Sequence, residues 1–445
     1  MMSSDLLVEL LQNLDAPQGR YAELERYHTG AQSLAWISPE SRKALGNRLS
    51  RMASNIPRLA VSSLTERLRI VGFSDPHAWK LFVDSDTDQL AAQVMADALL
   101  YSVGYVLVWS KDGRPVASVE SPRQCAVLRD PADRSVIAGV KRYRTKTQTH
   151  AYVYLPDRIE HHVANTPGAA TAGFELVETL DNPLGVVPLV PIDNGGSEVD
   201  DLVPLVDALN KLLVDMMTAS EAAGKPRRWI AGLELVERER VDADGNPVLD
   251  DDDEPVIDLV SPIDDVNTIQ TMISEQSDTK FGQLPASDLS GFKEGVQVII
   301  SQIAAVSALP AHYLNPLSSS QVPSADGLRA SEASLTARAE QKQLLFGRAW
   351  ELVGRLLIAV DRSADPTTIP LRVTWGSAAT RSVAQEADAA VKLFQSGLLS
   401  RRATLARLGF TDDEIEAELD AINDDASAAR DIAVGTYMRG QRDAA

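Results

Sequence analysis

The stretch that most constrains the chain runs from Ala308 to about Val360, where a region unable to hold a regular helix meets a long helix former. Its first part, "ALPAHYLNPLSSSQVP", carries Pro310, Pro316 and Pro323 around a run of serines, Ser318 to Ser320. Proline removes a backbone N–H and clashes with the preceding turn, so this part reads as a polar loop. From about Ala325 to Val360 the sequence reads as one helix, roughly 50 Å long at about 1.5 Å per residue. Arg329, Glu332, Arg338, Glu340, Lys342, Arg348, Glu351 and Arg355 lie among its apolar residues. A long helix with mixed faces bridges layers or subunits more often than it fills a core, so the pattern points toward assembly.

The rest of the chain divides by character. Residues 1 to about 100 read as helical, broken first at Tyr27-His28-Thr29-Gly30. Leu59, Leu64, Leu68 and Ile70 mark one apolar face there, and Leu90, Val94, Ala98 and Tyr101 another. The stretches "GYVLVWSKDGRPVASVESP", "VIAGVKRYRTKTQTHAYVYLPDRIEHHV" and "FELVETLDNPLGVVPLVPIDN" alternate as strands, with Asp112-Gly113 as a hairpin turn. Together they predict an α+β domain with an antiparallel sheet. A helix capped by Ser197 or Asp200 follows, with Leu202, Leu205, Leu209, Leu212, Leu213 and Met216 as its apolar stripe, ending near Gly224. Residues from Arg227 read as strand, turn and strand around Asp244-Gly245-Asn246, with an acidic run from Asp250 to Glu254. A second helix spans roughly Leu289 to Val306. After the long helix come one short strand, "TIPLRVTWG", two modest helices and an acidic helical end.

Composition excludes several classes. Charged residues at 24% and hydrophobic residues at 44% match an ordinary globular chain. No apolar run is long enough to span a bilayer, and "MMSSDLLVELLQNL" lacks the basic start and apolar core of a signal peptide, so no membrane partner is expected. A single cysteine, Cys125, excludes a disulfide framework and a thiolate metal site and reads as a buried structural residue. A net charge of −20 argues against tight binding of nucleic acid through phosphate neutralisation, though not against letting it pass. Phosphate-binding loops, dinucleotide fingerprints, HExxH and GxSxG are all missing. His161 and His162, adjacent on a strand, point to opposite faces and cannot chelate one ion. Asp242, Asp244 and Asn246 mimic a calcium loop, but Pro247 stands where that loop needs glycine, so a hairpin tip is the better reading. No cofactor is expected.

Five blocks taken in order are more specific than any one of them: "NIPRLAVSSLTERLRIVGF", "ADALLYSVGYVLVW", "NPLGVVPLVPIDN", "SEVDDLVPLVDALNKLLVDMM" and "LPAHYLNPLSSSQVPSADGLRASEASLTARAEQKQ". From about residue 20 to 410 the chain resembles the portal proteins of tailed phages, of the family like the portal of Bacillus phage SPP1. The resemblance implies a portal-type fold: a mixed α/β wing over 1–198, a stem helix over 199–224, and a small β-containing clip over 225–285. It further implies a second stem helix over 286–308, a tunnel loop over 309–325, the long helix and a returning wing strand over 326–379, and a helical crown over 380–445. Such proteins form a ring, usually of twelve subunits, at one capsid vertex, through which double-stranded DNA enters and leaves. The implied location is the virion portal vertex, with the host cytoplasm during assembly. Implied partners are the terminase large subunit, the head–tail adaptor, and the major capsid and scaffold proteins.

Carried onto this sequence, Ser318, Ser319, Ser320 and Gln321 become a compliant polar tip touching phosphate and sugar without reading bases. Lys280, Lys293 and Arg329 become candidate rings of positive charge in the channel, or ordinary surface charges. Arg227, Arg228, Asp250, Asp251, Asp252, Asp253 and Glu254 become the docking end of the clip. ATP hydrolysis is then left to the motor, which agrees with the missing phosphate loop. The residues alone leave open a virion or scaffold protein without a channel, and an enzyme whose site is assembled from dispersed residues.

Overall fold

The structure, a computed structural model, describes residues 3–33, 53–224, 228–231, 236–242, 246–249, 254–260, 278, 280–283, 290–314, 325–379, 383–410, 414–425 and 427. These residues form two compact units. One gathers the described residues of Met1–Gln18, Ala60–Ser197 and Ala308–Ala445; the other gathers those of Gly19–Leu59 and Glu198–Ser307.

The first unit is built in layers on antiparallel sheets. β4 (Cys125–Arg129), β5 (Val136–Arg144), β6 (Thr149–Tyr154), β7 (Arg158–Ala164) and β8 (Phe174–Asp181) form a five-stranded sheet in that spatial order. Alternation along each strand assigns residues to two faces. Ala126, Val140, Ala151 and Val153 face α1 (Ser3–Asp15), whose Leu7, Leu10, Leu11 and Leu14 complete that core. Arg142 of β5 and Asp15 clamp the helix to the sheet. On the other face, Cys125, Tyr154 and Ile159 pack with Tyr105, Val187 and Leu189. Tyr105 and Leu189 belong to a second, three-stranded sheet in the order β3 (Arg114–Glu120), β2 (Val103–Lys111), β9 (Leu189–Asp193). Cys125 is buried as expected, and burial pushes its thiol up. The β2–β3 hairpin turns where the sequence places it, with Asp112 at φ 52° and Gly113 at φ 76°, the left-handed pair that matches strand twist.

Behind the three-stranded sheet lie α5 (Thr87–Tyr101) and the long helix, α9 (Ala325–Arg362). Val94, Ala98 and Tyr101 of α5 are buried as the spacing predicts, but Leu90 is 37% exposed. Thr87 and Ala91 on either side of it are buried instead, so Leu90 lies off the packing face at this end of α5. Gly104 of β2 is what lets α5 meet the sheet: a Cβ there lies 2.4 Å from the Val94 carbonyl oxygen, a backbone atom that cannot swing aside. α9 has 38 residues, so it spans roughly 57 Å. Its Phe346, Trp350, Val353, Leu356 and Leu357 are fully buried. Trp350 meets Phe82 of α4 (Pro76–Asp84), the helix that follows α3 (Ile56–Thr65) in the chain, edge-on at 5.8 Å, and Phe82 packs in turn on Phe73 and Trp79. β1 (Ile70–Phe73) pairs with β14 (Val373–Trp375), so the chain does return as a short strand after the long helix. α10 (Val383–Gln395), α11 (Arg401–Arg407) and a helical stretch over 414–425 follow, as the sequence suggested.

The second unit is built on α6 (Val203–Gly224), α7 (Ser290–Ser307) and most of α2 (Gln18–Thr29). Its antiparallel strand pairs are β10 (Arg228–Ala231) with β13 (Lys280–Gln283), and β11 (Val236–Glu239) with β12 (Ile257–Val260). Among the described residues of both units, no helix is long and apolar enough to cross a membrane.

Candidate channel and docking segments

α6 and α7 pack along one another, with Leu212 of α6 against Gly295 of α7. The buried positions of α6 are Leu202 just before it, then Val206, Leu209, Asn210 and Val214. The leucine stripe read from the sequence is therefore only partly the packing face. Asn210 is 1% exposed, and its side-chain oxygen accepts from both the N–H and the hydroxyl of Ser54 at 2.8 Å. The Tyr27 hydroxyl donates to the Asp207 carboxylate at 2.8 Å, and burial together with that carboxylate pushes the phenol up to about 12. Arg20 is paired with Asp200 at the same end. Three polar anchors thus fasten an early part of the chain to α6, none of them visible as a motif.

α7 turns a polar face outward. Ser290, Lys293, Glu294, Gln297, Ser301 and Gln302 line an open hollow of about 660 Å³, together with the exposed Val298. Their spacing of three and four residues puts them on one helical face. Two hydroxyls and two amides stand there with one cation, Lys293, and one carboxylate, Glu294. Lys280 is exposed at the start of β13, on a different element from Lys293. Arg329 is half-buried in the first turns of α9, in the other unit, and is already engaged by a neighbour.

The stretch 315–324, which holds Ser318, Ser319, Ser320 and Gln321, lies outside the described residues. Its two flanks are described. α8 (Ala311–Leu314) precedes it and α9 follows it. Glu332 of α9 joins the two: it accepts from Tyr313 at 3.4 Å and pairs with Arg67 at 3.1 Å. Arg67 also donates to the Ala378 carbonyl at 2.8 Å, and both side chains of the ion pair are largely buried. A paired, hydrogen-bonded ion pair away from water fixes geometry well. Both ends of the loop are therefore held by one polar knot. Ala308, just upstream, adopts φ 58°, a conformation that an alanine takes only when its surroundings impose it.

Around the acidic run, Asp250, Asp251, Asp252 and Asp253 lie outside the described residues, as does Arg227. Arg228 begins β10, and Glu254 is exposed and already engaged by a neighbour. The described parts on either side form a closed backbone arrangement. The Arg240 N–H donates to the Val256 carbonyl, the Val256 N–H to Val248, and the Val248 N–H to Arg240, at 2.8, 2.9 and 2.7 Å. Arg240 further grips Asp258 through two bonds of 2.9 and 2.6 Å, which hold the Asp258 carboxyl below its usual range. Asp242 accepts from the Asn246 N–H at 2.9 Å, and Val241 bridges Pro247. The carboxylate that mimics a calcium ligand closes a hairpin turn instead.

His161 and His162 do point to opposite faces. His162 lies 3.1 Å from the buried Glu160 carboxylate, while His161 Nε2 lies 3.1 Å from His150 Nδ1. Their strand neighbours Tyr143 and Tyr152 stack on them, giving a four-ring tile across β5, β6 and β7. Burial, then the charge of His150, holds His161 below the usual imidazole range. The sequence reading treated the two adjacent histidines alone and missed His150, which strand pairing brings in. Among the described residues no cluster of His, Cys, Asp or Glu is arranged to hold a metal ion.

The model of the family described as phage portal protein, SPP1 Gp6-like, matches residues 19–431. The chain belongs to this family. Curated relatives agree with that placement. The portal protein of Mycobacterium phage L5 is 27% identical over 394 residues, covering 81% of this chain and 76% of that protein. The portal protein of Mycobacterium phage D29 is 27% identical over 374 residues, covering 77% and 72%. Among solved structures, a chain in the neck of an empty gene transfer agent particle covers 88% of this chain and 93% of its own, at 13% identity and a TM-score of 0.46. A chain in the neck of the native particle covers 86% and 97%, at 14% identity and a TM-score of 0.44. Portal proteins are structural proteins of the particle.

Proposed function

We propose that this portal chain closes into a ring, of twelve subunits as its family implies, at one vertex of the capsid, and that double-stranded DNA passes through the ring during packaging and ejection. Family membership over residues 19–431 carries this reading. The outward face of α7 supports it, because hydroxyls and amides make weak, sequence-blind contacts with phosphate and sugar. An acidic chain with few channel cations lets a polyanion move, where clustered lysines and arginines would hold it. In this reading α6 and α7 are the stem, 225–285 the clip, and 309–325 the tunnel loop with Ser318 to Gln321 at its tip, hung from the Tyr313–Glu332–Arg67 knot. Lys280 and Lys293 contribute isolated rings of charge once the subunits repeat around an axis. The clip, with Arg227, Arg228 and the run Asp250 to Glu254, meets the terminase large subunit during packaging and the head–tail adaptor afterwards. Major capsid and scaffold proteins surround the ring in the host cytoplasm. The subunit itself catalyses nothing; hydrolysis of ATP belongs to the motor.

Electron microscopy of the purified protein, alone and with scaffold protein, tests the reading. Rings with a pore wide enough for a duplex are the expected result. Closed dimers, or compact particles with no pore in both preparations, overturn it.

A further inference from the structure

On α9, Leu344, Arg348, Glu351 and Arg355 follow one another at spacings of four, three and four residues, which aligns them along one face. Arg372, on the segment entering β14, reaches the same place. Arg348, Glu351, Arg355 and Arg372, with Ser74 and the run 369–371, line a hollow of about 270 Å³. Three guanidiniums and a single carboxylate thus line one hollow, a local surplus of positive charge on a chain whose net charge is −20. That carboxylate is stretched between two of them: Glu351 lies 3.4 Å from Arg372 and 3.7 Å from Arg355. A good charge-assisted hydrogen bond is about 2.7–2.9 Å, so neither guanidinium is well satisfied. The Arg355 Nε is buried with no acceptor. Arg348 is exposed and has no ion pair among the described residues. A buried N–H left without an acceptor is costly, so the cluster as it stands is short of oxyanion.

We infer that this pocket receives a side-chain carboxylate from a second copy of this chain. Guanidinium forks match the planar carboxylate through paired hydrogen bonds. The chain offers an excess of such groups, 63 acidic residues against 43 Lys and Arg. Leu344, one turn from Arg348, is 81% exposed, and its neighbour Leu345 is 48% exposed. Bare leucines beside a charge cluster mark a surface that another protein covers, which a small free anion does not require. The proposal rests on the ring reading and deepens it. A head-to-tail ring sets this patch of each copy against a different patch of the next, and strongly acidic subunits need a local cation cluster to meet without repulsion.

The test uses the full chain with R372K, and with E351Q/R372K to remove the internal competitor. A water-soluble carbodiimide joins an amine to a carboxylate in direct contact as an amide and leaves as its urea. The expected result is covalent multimers whose mapped peptides join position 372 to an acidic residue of another copy. In parallel, R348E/R372E is expected to lower the ring population about tenfold. Rings that form with no link between copies at position 372 in E351Q/R372K overturn the inference and leave the ring reading standing. Undiminished rings in R348E/R372E overturn it as well. A melting temperature that millimolar inorganic phosphate raises in the wild type but not in R348E/R372E, with rings unaffected, overturns it in favour of a small-anion site. No rings and no links, with or without scaffold protein, sink both readings together.

Discussion

Asp97 lies on α5, and burial alone lifts its carboxyl to about 7. The sign follows from linkage: a carboxyl raised in the folded state costs nothing below its ordinary range near 3.8 and costs most above 7. At about 1.4 kcal/mol per tenfold change in acidity, the ionised form costs the folded protein up to roughly 4 kcal/mol at alkaline pH. D97N is therefore expected to stabilise the protein, with a gain that grows between pH 4 and 7 and then levels off. Urea denaturation at pH 4.5, 6 and 8 checks this; a gain that stays flat across that range refutes it. The buried Asn210 and the half-buried Asp207 are the opposite kind of polar residue, each satisfied by a named donor. Nothing in the local sequence separates these cases, because the deciding neighbours arrive from elsewhere in the chain.

Among the elements, the β2–β3 hairpin and the long helix α9 were legible in the sequence for local reasons. Asp112-Gly113 supplies the left-handed turn residues, and a run of strong helix formers from Ala325 needs no partner to be recognised. The packing face of α6 was legible only in part. Leucines drew the stripe, whereas Val206, Asn210 and Val214 are the residues that α6 buries alongside Leu202 and Leu209. His150 and His161 are brought together by strand register, and Arg372 reaches Glu351 only because β14 returns to α9. Such meetings depend on tertiary pairing and leave no mark at fixed spacing. The contact of α5 with β2 gives the sharpest prediction at this scale. G104A places a methyl against the Val94 backbone carbonyl, so one element must retreat, at a cost of roughly 1–3 kcal/mol. A lowered urea midpoint with near-unchanged far-ultraviolet circular dichroism is expected; an unaltered midpoint shows that α5 and β2 can part freely.

At the scale of the whole molecule, the resemblance read from five ordered blocks agrees with the family match over residues 19–431. The channel and docking assignments came from that resemblance, since no composition or period points to Ser318 or Asp250. Their chemistry can be tested separately from the fold. Replacing Asp250, Asp251, Asp252 and Asp253 with asparagine is expected to leave ring assembly and thermal stability unchanged. It is expected to weaken capture of the terminase large subunit, and more at low salt than at high salt, because exposed charges are screened by ions. Equal capture by both proteins at every salt concentration removes the acidic run from the docking surface.

Cys125 has a practical consequence for anyone who wants to watch this machine move. The chain has one thiol, it is buried, and burial raises it further from the reactive thiolate. Maleimide dyes react with thiolates, so the native protein is nearly blank to them. A cysteine introduced at Leu314 or Ala325, the described ends on either side of 315–324, becomes a unique optical reporter in every subunit. A dye at either position then tests the proposed passage of DNA through the ring, with no background thiol to remove first.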